Sequence, residues 1–113
     1  METKELMIGD KVMVKVLSQI SDTYVLHTWT ANDYSRDLQV KPIPLTAKIL
    51  EKNGWWYAVE DIWLHDEVDF GIERRNGGFK CYNIDQIKLD SVHQLQQTLR
   101  LCGLNEMADN FKI

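Results

Sequence analysis

Apolar and polar positions along the first third of the chain alternate with period two. After a turn at Met7-Ile8-Gly9-Asp10-Lys11, the residues Val12, Val14 and Val16 alternate with Met13, Lys15 and Leu17. β-Branched residues at every second position predict a half-buried strand. Thr23–Trp29 has the same character and predicts a second strand, paired antiparallel with the first through a turn at Ser18–Asp22. Thr30–Asp37 is polar and contains Asn32-Asp33, which predicts a loop, followed by a short third strand at Leu38–Lys41.

Pro42-Ile43-Pro44 then interrupts the alternation, because each proline biases the residue before it towards extended backbone. Thr46 is an N-cap residue, Ala47–Lys52 is a run of helix formers, and Asn53-Gly54 supplies a C-terminal stop, so two turns of helix are predicted. Strand composition returns at Trp55–Leu64 and again at Phe70–Arg75. Asn76-Gly77 predicts a type I′ hairpin joining Phe70–Arg75 to Gly78–Asn83, since both central residues of that turn need positive φ.

The last element reads as a helix. Asp90 or Ser91 caps it, and Ser91 with Gln94 three residues on has the form of a capping box. Val92, Leu95, Leu99 and Cys102 fall on one apolar stripe, and Gly103 is placed to end the helix. Leu104, Met107 and Phe111 fit either a docked final turn or a loose tail.

These elements predict one α+β domain over residues 1–113, with a β-rich part at 1–44 and a helix, hairpin and helix at 45–113. The expected architecture is a bent antiparallel sheet of about five strands, or a small barrel that is Src-homology-3-like in its first half, with two helices and the last one packed on the sheet.

Composition narrows the function classes. The chain has 113 residues, 44% hydrophobic and 27% charged, the balance of an ordinary globular domain. Thirteen basic and seventeen acidic side chains leave a net charge of −4, which opposes a protein that binds by neutralising many phosphates. The charge is uneven. Residues 1–54 hold seven of each sign, whereas residues 55–113 hold six basic and ten acidic, and six of those acids lie between Glu60 and Glu73.

The N-terminus has no secretory pattern and no apolar run approaches the roughly 18 residues needed to cross a bilayer, so a cytoplasmic protein with no membrane partner is expected. Cys81 and Cys102 form no CxxC pair, and His27, His65 and His93 are scattered, so no zinc site is expected and both thiols read as buried and free.

Asp66, Glu67 and Asp69 beside His65 offer oxygen ligands for a hard cation, but without calcium-loop spacing a solvated acidic loop is the better reading. No spacing selects a catalytic carboxylate pair, Cys81 has no nucleophile elbow, and Gly77-Gly78 precedes no phosphate-loop lysine. No enzyme, catalytic residue, cofactor or metal is therefore expected.

Trp55, Trp56, Tyr57 and Trp63 crowd nine positions. On one strand, Trp55 and Tyr57 would share a face and Trp56 the other. Either all of them build a large aromatic core, or one indole is exposed for a partner. His93, Gln97 and Arg100 share a face of the last helix, which is either a polar recognition face or an ordinary solvated surface.

Three segments carry a resemblance. Leu6-Met7-Ile8-Gly9-Asp10, Ile43-Pro44-Leu45-Thr46 and Val92-His93-Gln94-Leu95-Gln96, in that order, resemble a family of small uncharacterised gut Bacteroidales proteins associated with prophage or mobile elements. The resemblance implies a genomic setting and no chemistry. The leading expectation is a non-enzymatic module that binds another protein through Trp55, Trp56, Trp63 and the acids Asp66, Glu67 and Asp69, with His93, Gln97 and Arg100 as a further candidate surface. The alternative is nucleic-acid binding by a small barrel through Lys11, Lys15, Lys41 and aromatic side chains.

Overall fold

A computed structural model describes residues 1–16, 23–82, 84 and 87–113. The first alternating segment is strand β1, Lys11–Lys15, and the second is β2, Tyr24–Thr28. They pair antiparallel from Lys11 opposite Thr28 to Lys15 opposite Tyr24. The expected turn at 18–22 lies outside the described residues. The short third strand is β3, Val40–Lys41, which joins the other side of β1 with Met13 opposite Lys41. The polar stretch before it, expected as a loop, holds a 3-10 turn at Ala31–Ser35, because Asp33 and Thr30 cap each other reciprocally.

Helix α1, Ala47–Lys52, has the predicted ends: Thr46 Oγ1 accepts from the Ile49 amide at 3.2 Å, and Gly54 takes φ +87° beyond the last turn. The next segment departs from expectation. Trp55–Leu64 is not a single strand but a hairpin of β4, Trp56–Val59, and β5, Ile62–His65. The reversal falls on Glu60-Asp61, where Asp61 adopts φ +58° without glycine, a conformation aspartate tolerates. The Asp61 amide donates to Tyr57 Oη at 2.9 Å, which holds the turn.

Strands β6, Val68–Arg75, and β7, Gly78–Cys81, form the predicted hairpin, with Asn76 and Gly77 at φ +49° and +81°. The fold class is α+β, but the strands divide into two antiparallel sheets, ordered β2-β1-β3 and β4-β5-β6-β7, and neither closes into a barrel. The physical reason lies at the prolines: Pro42 and Pro44 have no amide to extend a ladder beyond β3, and Pro44 instead bridges to Ser91.

Helix α2, Val92–Leu101, begins at the predicted capping box, with the Ser91 amide donating to Gln94 Oε1 at 3.1 Å. Val92, Leu95 and Leu99 are buried along its stripe, whereas Cys102 lies one residue past the helix and is exposed, which corrects the expectation of two buried thiols. A third helix, α3, Asn105–Asp109, docks the tail through Ala108 and the buried ring of Phe111. The main core gathers the inner face of the second sheet, α1, α2 and α3 around Leu50, Trp55, Trp63, Ile72 and Leu95. A smaller core of Leu6, Val12, Trp29 and Val40 backs the first sheet.

Candidate interaction surface

The four-stranded sheet alternates between an inner and an outer face. Along β6, Phe70 and Ile72 are buried on the inner side while Asp69 and Glu73 lie on the outer. Trp63 pairs with Ile72, and Tyr57 pairs with Trp63, so all three face inwards. Tyr57 closes the rim of that layer, edge-on to Trp63 at 5.0 Å, and is itself exposed. Trp55 lies just before β4 and is 2% exposed, packed edge-on to His65 and tilted against Phe70. Trp55 and Tyr57 thus lie on the inner side and Trp56 on the other. Trp63 is also 2% exposed, with the Arg74 guanidinium over its ring at 4.8 Å.

Trp56 is the one tryptophan turned outwards, 47% exposed. Its cross-strand partner Leu64 is 36% exposed and Tyr82 beyond β7 is 49% exposed. Between the last two lies Gly71: a Cβ there would stand 3.1 Å from Leu64 Cδ2 and 3.3 Å from Tyr82 Cβ, and the Tyr82 amide donates to Gly71 O at 2.8 Å. Trp56, Leu64, Gly71 and Tyr82 thus form a row across the sheet with an apolar surface and a shallow dip. Contiguous exposed apolar surface with a polar rim is the mark of a contact site.

The rim is acidic. Asp66 Oδ1 accepts from Trp56 Nε1 at 3.4 Å, which ties the exposed indole to the β5–β6 turn. Glu67 follows in that turn, and Asp69 stands exposed on the outer face. His65 takes no part as a ligand, because both ring nitrogens are engaged: Nδ1 accepts from the Glu67 amide at 3.0 Å and Nε2 donates to Asn53 O at 3.0 Å. Among the described residues, no group of three or more His, Cys, Asp or Glu side chains is placed to hold a metal ion.

The remaining expected face, His93, Gln97 and Arg100, is not an ordinary solvated one. The N-terminal segment covers it. Gln97 Nε2 donates to Glu5 O at 2.8 Å and to Asp10 Oδ2 at 2.7 Å, while Arg100 bonds to the other oxygen of the fully buried Asp10 and, at 3.4 Å, to Asp109. Gln96, buried beside them, accepts from the Lys11 amide at 2.8 Å and donates to Gly9 O and Ala108 O. His93 is buried against Ser91 Oγ at 3.1 Å, and burial holds its imidazole below the usual 6.5 despite the pull of Asp10 and Glu5. This polar set fastens the first sheet to α2.

Of the nine expected site residues, the structure therefore brings together Trp56, Asp66, Glu67 and Asp69, places Trp55 and Trp63 in the core, and assigns His93, Gln97 and Arg100 to the joint between the first sheet and α2. Leu64, Gly71 and Tyr82 are members of the site that the sequence reading misses. Period-two alternation marks them once the reversal at Glu60-Asp61 is known. Among the described residues, no helix is long and apolar enough to cross a membrane. No family model matches the chain, and neither a curated protein nor a solved structure matches it.

Proposed function

We propose that the chain is a non-enzymatic, cytoplasmic protein-interaction module of mobile-element origin that engages a basic protein segment through the outer face of the four-stranded sheet. The observation that carries this reading is the row of Trp56, Leu64 and Tyr82 across the dip at Gly71. Tryptophan is among the side chains that dominate interface energetics, and Trp56 stands exposed at one end of this row. Asp66, Glu67 and Asp69 beside it favour a partner bearing lysine or arginine next to an apolar residue, because complementary charge fixes register and speeds encounter. The same rim disfavours a second copy, which would set acid against acid.

The test is capture on the immobilised chain, followed by titration of the recovered partner in purified form. Trp56→Ala is expected to weaken binding by about 30-fold, the size of a hot-spot loss of ~2 kcal/mol. Asp66→Lys is expected to slow association and to blunt its salt dependence. Unchanged recovery with both variants sinks the reading.

A second reading is favoured by the register of the first sheet. Lys11, Lys15 and Lys41 share one strand face with Tyr24, a layout suited to nucleic acid. Lys41 Nζ covers the Tyr24 ring at 4.1 Å, which sets a cation beside an aromatic side chain on that face. A gel shift with single-stranded oligonucleotides tests it, and no shift at low salt removes it.

A further inference from the structure

The chain beyond β7 turns back along it, and an antiparallel bridge sets Lys80 directly opposite Lys88. Like charges in that position destabilise a strand pair. Arg75 closes the β6–β7 hairpin opposite Gly78, diagonal to Lys80. One carboxylate is shared between two of these cations: Glu73 Oε1 lies 3.2 Å from Lys80 Nζ and 3.5 Å from Arg75 Nε. Asp90 also lines the cleft, with its Oδ1 accepting from the Phe79 amide at 3.2 Å and lying where a Gly78 Cβ would come within 2.3 Å of it.

These three cations stand at a cleft of about 700 Å³, whose apolar wall is Pro44, Leu45 and Phe79. That volume lies within the range of small-molecule sites. The hairpin turn at its mouth is open, with nothing within 4 Å of where a Gly77 Cβ would stand. A guanidinium and two ammonium groups match phosphate oxygens in charge and donor number. Counting Glu73 and Asp90, three cations against two carboxylates leave one surplus positive charge at the cleft, a local feature in a chain of net charge −4.

We propose that this cleft binds a phosphorylated small molecule with a flat apolar body, the class to which nucleotides belong. The phosphates lie on Arg75, Lys80 and Lys88, and the apolar body lies on Pro44, Leu45 and Phe79. The site makes no use of Trp56 or its acidic rim, so it stands or falls apart from the protein-binding face.

The test is titration of the 15N-labelled chain with ATP, pyrophosphate and adenosine, read by amide shifts. ATP and pyrophosphate are expected to move Gly77, Gly78, Phe79 and Lys88, with ATP the tighter of the two. Lys88→Glu and Arg75→Glu are each expected to raise the ATP Kd by at least about tenfold, as loss of a charge-assisted contact implies. Lys88→Gln gives a smaller rise, and Lys48→Glu, the same charge change on α1, gives none. Lys88 is exposed, so these changes leave the core packing intact, and the dispersion of the spectra verifies it. The proposal is overturned by no shift at the four amides up to millimolar ligand, or by adenosine binding as tightly as ATP. It is equally overturned by a matching loss in Lys48→Glu, or by binding of an oligothymidylate alone.

Discussion

Gln96 on α2 receives the amide proton of Lys11 on β1 at 2.8 Å, a hydrogen bond between positions 85 residues apart. The side-chain nitrogen of the same residue serves Gly9 O and Ala108 O, so one buried amide satisfies three backbone groups from two other segments. Gln96→Leu keeps the volume and removes all three bonds, so the Lys11 amide and Gly9 O lose this partner while Ala108 O still accepts from the Phe111 amide. An unsatisfied buried group costs about 1–3 kcal/mol, so a loss of at least about 2 kcal/mol is expected in urea unfolding.

Gly9 lies beneath the same joint at φ +94°, and a Cβ there would stand 2.8 Å from both Arg100 Nη2 and Asp109 Oδ1. Gly103 has a similar φ of +79° with nothing within 4 Å. Gly103→Ala therefore meets backbone strain alone, about 1 kcal/mol, whereas Gly9→Ala adds displacement of the Arg100 ion pair. The difference in denaturation midpoint between the two variants measures the joint.

The tryptophans divide by stability. Trp55→Ala and Trp63→Ala each empty a large core site and are expected to cost about 3 kcal/mol or more. Trp56→Ala, on the outer face, is expected to stay within about 1 kcal/mol. Equal losses from Trp55→Ala and Trp56→Ala would refute the placement of the outer row.

Thiol labelling separates the cysteines. Cys102 is expected to react in the native protein at a rate close to that of a free thiol, while Cys81, 1% exposed, reacts only on unfolding. One fast equivalent in native buffer and two in denaturant is the expected count.

Acid acts in two steps. His93 is held neutral by burial, so its folded pKa lies below 6.5, and stability falls as pH drops below that value and the unfolded chain takes up the proton first. Burial alone would raise Asp33, but hydrogen bonds from His27 and from the amide and hydroxyl of Thr30 hold it at about 2, against an ordinary 3.8. Its contribution is present above 3.8 and is lost as pH falls through about 2. Thermal melts from pH 7 to 2 are expected to fall in both windows. His93→Gln removes the first step, and Asp33→Asn removes the second while lowering the neutral-pH Tm.

Where the chain carries its own local signal, the fold is readable from sequence. Asn76-Gly77 names its turn, Thr46 and Ser91 cap their helices with their own side chains, and α1 ends where Gly54 permits. Glu60-Asp61 carries no such mark, because its aspartate enters the left-handed region only with help from Tyr57 Oη. The outer row is hidden with it, since the pairing of Leu64 with Trp56 depends on where that hairpin reverses. Helical spacing places His93, Gln97 and Arg100 on one side of α2, but it carries no information about Asp10, ninety residues away from Arg100, which covers them. The acids at Asp66, Glu67 and Asp69 are legible as a cluster because they are nearly contiguous.

The joint also orders events during synthesis. Among the described residues, the first sheet buries Leu6, Val12, Trp29 and Val40 in its own core, and side chains from α2 bond the Lys11 amide, Gly9 O and the Asp10 carboxylate. A ribosome completes those first strands long before it reaches residue 96, so the nascent N-terminal sheet emerges with its closing partner still unmade. Strand β2, at the edge of that sheet, presents an unpaired strand edge throughout that interval.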